Sequence, residues 1–198
     1  MRRQYGVNNQ LTLFIADEAH VPLGHASMYM SLIFLCNMCS KLASGPMYDG
    51  AHGRFFAVGA CAMLALGSAL LLHLSWAPSV GWEMLAFAII FGIGYGGSYS
   101  LIQSRAALHF GHRRGFKAVQ GFLSAGQYAG MTCGYLFPPL LAHAFSYSVA
   151  FSTLLGSAVV ALVAIVAFEV REASLSSAVI GRTSLKTPFL PATATAAE

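Results

Sequence analysis

The chain has 198 residues, of which 9% are charged and 57% belong to the hydrophobic set AVILMFWYC. A soluble domain carries about a quarter charged residues, so this composition excludes a soluble globule and favours a membrane protein. The net charge of +4 does not indicate a nucleic-acid partner, because the basic residues lie in particular loops and not along one stripe.

Five stretches are apolar enough to span a bilayer, which takes about 20 residues. In chain order they cover residues 26–48, 55–74, 82–104, 116–142 and 147–170. Residues 1–20 are expected to be the end of a truncated transmembrane helix and an external loop, 21–170 a five-helix bundle, and 171–198 a disordered cytoplasmic tail. Pro138 and Pro139 predict that the fourth span kinks or ends early.

Embedded polar side chains distinguish three of these spans from the other two. The second and fifth are almost pure hydrocarbon, whereas the first, third and fourth carry polar groups. Such groups are costly in lipid unless they face a bundle interior or a wet cavity, so we expect three lining helices and two outer ones. The embedded polar residues are Asn37, Lys41, Tyr95, Ser98, Tyr99, Gln103, Gln120, Gln127, Tyr128 and Thr132.

Basic residues lie on one side of the predicted bundle. The loops at residues 74–81 and 142–146 hold no Lys or Arg, and only Arg2 and Arg3 fall outside the pattern. Since cytoplasmic loops are enriched in Lys and Arg, the sequence predicts a multi-pass protein with a cytoplasmic C-terminus. The residues that set this bias are Arg54, Arg105, Arg113, Arg114, Lys117, Arg171, Arg182 and Lys186.

Glycines are dense in the third and fourth spans. Residues 92–97 hold four of them, and the fourth span contains overlapping G-x-x-x-G at Gly126, Gly130 and Gly134. Small residues one turn apart let helix backbones approach closely. Close packing and pivots for helix movement are both compatible with this pattern.

The loop after the first span reads GPMYDGAHGRF at residues 45–55. It resembles the G-x-x-x-D-x-x-G-R-R loop of the major facilitator superfamily, with one extra residue before Gly53 and with Phe55 replacing the second basic residue. A carboxylate and a guanidinium across a tight turn can pair, and can separate when helices move. The alternative is a loop that only follows the positive-inside rule. The predicted gating residues are Gly45, Asp49, Gly53, Arg54, Arg113 and Arg114.

Three further segments strengthen the resemblance. They read FGIGYGGS at residues 91–98, HFGHRRG at 109–115 and GFLSAGQYAG at 121–130. These resemble the oxalate/formate and monocarboxylate porter branches of the superfamily. The resemblance implies an all-α bundle that forms half of a 12-helix transporter, with helices eight to twelve complete. The first half remains an alternative, because the two halves of this fold are related repeats.

Lys41 is the candidate substrate ligand. Its position resembles that of the charged residue which those branches direct toward an anion. Asn37, four residues earlier, replaces the acid of the monocarboxylate branch and cannot titrate. Tyr95 and Gln127 are the expected neutral partners from facing helices. The resemblance therefore implies alternating-access transport of a small organic anion. The alternative for Lys41 is snorkelling to the cytoplasmic surface.

Other functions have less support in the sequence. Cys36 and Cys39 form C-x-x-C inside an apolar span, where redox chemistry is not expected, and the Asp17, Glu18, His20 and His25 cluster reads as a solvated loop. No catalytic or cofactor motif is present, so we expect neither an enzyme nor a metal. A non-transporting paralogue remains an alternative. The expected partners are a small organic solute, the lipid bilayer, and a missing N-terminal half or second chain.

Overall fold

A computed structural model describes Leu11, Phe14, Ile15 and residues 22–49, 53–76, 81–112 and 114–184, except for some side chains within the helices. In these residues the chain forms five α-helices and no strand. The helices are α1 (Leu23–Asp49), α2 (Gly53–Trp76), α3 (Trp82–Phe110), α4 (Phe116–Ala144) and α5 (Tyr147–Ser184). The predicted all-α helix bundle is confirmed for these residues.

Four of the described helices are long and apolar enough to cross a membrane. The spans are Gly24–Met47, Gly53–Trp76, Trp82–Leu108 and Tyr147–Ser174. A helix of 24 residues is about 36 Å long, which exceeds the hydrocarbon thickness of about 30 Å. Helix α4 has 29 residues but is not among these four, and it carries the polar residues Lys117, Gln120 and Gln127.

Two helix ends differ from the sequence expectation. Helix α4 continues through Pro138 and Pro139 to Ala144, so the expected early end is wrong. A proline removes one backbone hydrogen bond, and membrane helices tolerate this loss when local adjustments satisfy the freed carbonyl. Helix α5 runs to Ser184 and not to 170, so the first part of the predicted tail is helical. The described residues from Val166 to Ser184 belong to a second unit, and 185–198 lie outside the described residues.

Helix α3 is the centre of the bundle and packs closely on both α1 and α2. A Cβ atom on Gly92 would lie 2.7 Å from the Ile33 carbonyl oxygen of α1, and one on Gly94 would lie 2.8 Å from the Leu64 Cα of α2. These contacts are with backbone atoms, which cannot rotate away. Close packing therefore explains Gly92, Gly94 and Gly96 of the third span.

The glycines of α4 have a different environment. Gly126, Gly130 and Gly134 have no described atom within 4 Å of an added Cβ. Their G-x-x-x-G face is open within the described part of the chain.

An apolar core lies where α1 and α3 begin and α2 ends. Phe14 packs edge to face on Phe151 of α5, with ring centroids 4.8 Å apart, and Leu74, Met84 and Phe87 are fully buried beside them. Toward the opposite ends of α2 and α3, a smaller cluster joins Ala57, Cys61 and Leu101 to Leu162 and Ile165 of α5.

Candidate functional site

A polar face runs along α3 and lies between α1 and α4. It consists of Tyr95, Tyr99 and Gln103, which are four residues apart and therefore share one side of the helix. Helix α1 contributes Lys41 at this face, and helix α4 contributes Gln127. The face thus combines one cation, two phenols and two amides, which come from α1, α3 and α4.

The ammonium group of Lys41 lies over the ring of Tyr99, with Nζ 4.7 Å from the ring centroid. Lys41 lies within the span Gly24–Met47, about 9 Å of helix from its end. A cation over an aromatic face gains about 0.5–2 kcal/mol, depending on how far it is desolvated. Tyr99 therefore holds the cation near α3 and offsets part of the cost of a charge at this depth.

The amides of Gln103 and Gln127 connect α3 to α4. Gln103 Nε2 donates to Gln127 Oε1 over 2.8 Å. The Nε2 group of Gln127 is itself buried and makes no hydrogen bond to the described residues. A buried N–H without a partner costs about 1–3 kcal/mol, so this position favours a ligand that accepts hydrogen bonds.

Asn37 lies away from the polar face, whereas Tyr95 lies on it beside an aromatic neighbour. Asn37 is buried where α1 meets α3, and its backbone is so close to Gly96 that a Cβ there would clash with it. Tyr95 stacks on Phe91, with centroids 6.2 Å apart and an interplanar angle of 4°. Of the four predicted ligands, the structure places Lys41, Tyr95 and Gln127 along the polar face and Asn37 in the adjacent packing seam.

Two residues of this face, Tyr99 and Gln103, are missing from the ligands that the sequence predicts. Both belong to the embedded polar residues of the third span, but their polarity alone gives no reason to choose them over Ser98. The spacing of Tyr95, Tyr99 and Gln103 by four residues is the signal that could have identified them.

The predicted gating loop is described only in part. Gly45 and Arg54 are exposed, Gly53 is buried at the start of α2, and Arg114 is exposed in the turn before α4. The Asp49 side chain and Arg113 lie outside the description, so pairing of Asp49 with Arg54 stays a prediction.

Cysteines and metal ligands play no visible part in this site. Cys36, Cys39, Cys61 and Cys133 are free thiols. Within the described stretches no group of three His, Cys, Asp or Glu side chains is placed to hold a metal ion. Asp17, Glu18 and His20 of the predicted external loop lie outside those stretches.

The apolar helices and their shared polar face define a multi-pass helical membrane protein. Residues 4–196 match the family model described as Major Facilitator Superfamily, and the chain belongs to this superfamily. No curated protein and no solved structure matches the chain. Membership assigns the protein to transmembrane transport and not to enzymatic catalysis. The likeness to the oxalate/formate and monocarboxylate branches stays a prediction.

Proposed function

We propose that this chain is part of a secondary active carrier for a small organic anion, such as a monocarboxylate, that works by alternating access. The observation that carries the proposal is the ammonium group of Lys41, which lies inside a spanning segment and over the Tyr99 ring. A carboxylate at this face would meet the cation and hydrogen-bond donors from the phenols and amides of α3 and α4.

The energies favour a ligand beside Lys41. A charged side chain at the centre of a spanning helix costs about 2.5–3.5 kcal/mol on insertion scales, and this is an upper limit for Lys41, which lies nearer the end of its span. The cation–π contact supplies about 0.5–2 kcal/mol of that cost. An anion drawn into a wet cavity would supply the rest, whereas snorkelling would have to carry the ammonium away from Tyr99.

Alternating access requires a second wall, because the binding site of such carriers lies between two structural repeats. We propose that a further set of helices, in the same polypeptide or another one, faces the polar side of α3. The open glycine face of α4 at Gly126, Gly130 and Gly134 supports this proposal, since such faces suit close contact with another helix. The one-sided Lys and Arg distribution supports a cytoplasmic C-terminus.

Uptake of radiolabelled monocarboxylates by the complete transporter in proteoliposomes tests the proposal. In Lys41→Gln, anion uptake is expected to fall about 10-fold to 100-fold, the factor for a lost charge-assisted contact of about 1.5–3 kcal/mol. Lys41→Arg keeps the charge and should retain partial activity.

Lys117→Gln is the matched control, because it removes the same charge from an exposed position in the first turn of α4. It should leave uptake near that of the wild type. Equal uptake by Lys41→Gln and the wild type would show that Lys41 only snorkels. If the wild-type transporter moves none of the solutes in a broad panel, a non-transporting role becomes the better interpretation.

A further inference from the structure

A cavity of about 530 Å³ lies between α1 and α2, with α3 as its floor. Its walls include Cys39 and Ala43 of α1, Phe55 and Gly59 of α2, and Ile93 and Gly97 of α3. All of these residues lie within candidate membrane spans. We call this cavity the α1–α2 groove.

The groove is separate from the candidate transport site. Its α1 wall contains Cys36, Cys39, Ala43 and Met47, which are three or four residues apart and share one face of the helix. Lys41 projects from a different side of α1, toward Tyr99. The groove therefore belongs to the side of α1 that faces α2, the helix whose sequence is almost pure hydrocarbon.

The groove has almost no polar surface to offer a solute. Its two serines have their hydroxyl groups engaged with the protein, because Ser40 Oγ donates to the Ile93 carbonyl over 2.8 Å and Ser44 Oγ donates to the Lys41 carbonyl over 2.8 Å. An apolar cavity without free polar groups stays dry and takes apolar ligands. The volume falls in the range of ligand sites, about 300–1,000 Å³.

We propose that the α1–α2 groove is a binding site for one acyl chain of a membrane phospholipid, a function distinct from transport. The occupant has the chemistry of the walls, and the bilayer supplies it at the depth where the groove lies. The small residues Ala43, Gly59 and Ala60 give the groove its depth, and the aromatic side chains of Phe55 and Phe56 form its wall where α2 begins.

The test uses phosphatidylcholine that carries a photoreactive diazirine midway along one acyl chain. The complete protein is reconstituted with this lipid and irradiated, and the labelled peptides are mapped by mass spectrometry. Labelling is expected to be several-fold higher in residues 35–47 and 55–63 than on the exposed apolar face of α5, which includes Val160 and Val163. Equal labelling of both regions would overturn the proposal, because it would describe ordinary bilayer contact.

A cavity-filling variant distinguishes a bound chain from lipid contact. Gly59→Leu places a side chain in the groove, and a Cβ atom at Gly59 meets nothing within 4 Å, so the backbone can accept it. Gly156→Leu on α5 is the matched control, because Gly156 is equally open and does not line the groove. Gly59→Leu should abolish the excess labelling, and Gly156→Leu should preserve it.

Two other occupants would give different results. If the transported anion occupies the groove, excess monocarboxylate should displace the label in the wild type. If the groove is filled with water, a membrane-impermeant maleimide should label Cys39, which lies on its wall, as fast as it labels a thiol in an aqueous loop. Either result would overturn the acyl-chain site, and neither depends on whether Lys41 binds substrate.

Discussion

Replacing Gly94 with alanine should destabilise the bundle, because this glycine lies against the backbone of α2. The new methyl group would lie 2.8 Å from both Leu64 Cα and Met63 C, whereas ordinary contacts begin at 3.4 Å. The backbone nitrogen of Leu64 would be nearer still, so helices α2 and α3 would have to move apart by more than about 0.6 Å, and forced packing of this kind costs about 1–3 kcal/mol.

Gly156→Ala on α5 provides the reference, because a Cβ atom there meets nothing within 4 Å. Both variants gain the same helix propensity, about 1 kcal/mol, so this term cancels in the comparison. The difference between them is then the cost of separating α2 from α3. At about 2–4 °C per kcal/mol for a protein of this size, Gly94→Ala should unfold about 2–12 °C below Gly156→Ala.

The assay is thermal unfolding of the purified protein in detergent, followed by the loss of the monodisperse peak in size-exclusion chromatography. Expression and helix content should remain close to those of the wild type. If Gly94→Ala unfolds at or above the temperature of Gly156→Ala, the seam between α2 and α3 is not limited by backbone contact and the reasoning is refuted.

Three further predictions concern the polar face and α4. Tyr99→Phe keeps the ring over Lys41 and should leave the KM for the anion within about threefold of the wild-type value. Tyr99→Leu removes the ring and should raise the KM by about 2-fold to 30-fold in uptake assays. Equal KM values in the two variants would contradict a cation–π role. Gln103→Leu leaves the buried amide of Gln127 without its partner and should lower the free energy of unfolding by about 1–3 kcal/mol, as followed by thermal unfolding. The double variant Gln103→Leu/Gln127→Leu should recover most of that loss. If the effects of the two substitutions on stability simply add, the pairing is refuted. Gly130→Leu blocks the open face of α4 and should abolish uptake without lowering the unfolding temperature of the bundle, and normal uptake would show that no helix docks there.

The sequence predicts the helices well where the length of an apolar run decides the structure. The starts of α3, α4 and α5 agree with the predicted spans at residues 82, 116 and 147, because short polar or glycine-containing loops separate them. The end of α4 is harder to predict, since proline has a strong local effect in water but a weaker one in a membrane helix. The extension of α5 to Ser184 is also hard to predict, because the added residues are not apolar enough to belong to a membrane span.

The candidate site shows the same limit at the level of side chains. Lys41 is evident in the sequence because a lone cation in an apolar span has an energetic cost. Its aromatic partner is less evident, because Tyr95 and Tyr99 lie one turn apart and only the register between α1 and α3 selects Tyr99. That register depends on where Gly92 and Gly96 admit the α1 backbone, which is a three-dimensional property.

The glycine contacts on both sides of α3 also have a mechanical consequence. Helix α3 contacts the backbones of α1 and α2 at its glycines, whereas the described part of α4 packs less closely on α3, so we expect α1, α2 and α3 to move as one rigid unit. A rearrangement of the kind we propose would then be expected at the border between these three helices and α4, which the Gln103–Gln127 hydrogen bond bridges. Under the proposed alternating access, Lys41 and Tyr99 would therefore move together and the ammonium group would keep its contact with the aromatic ring.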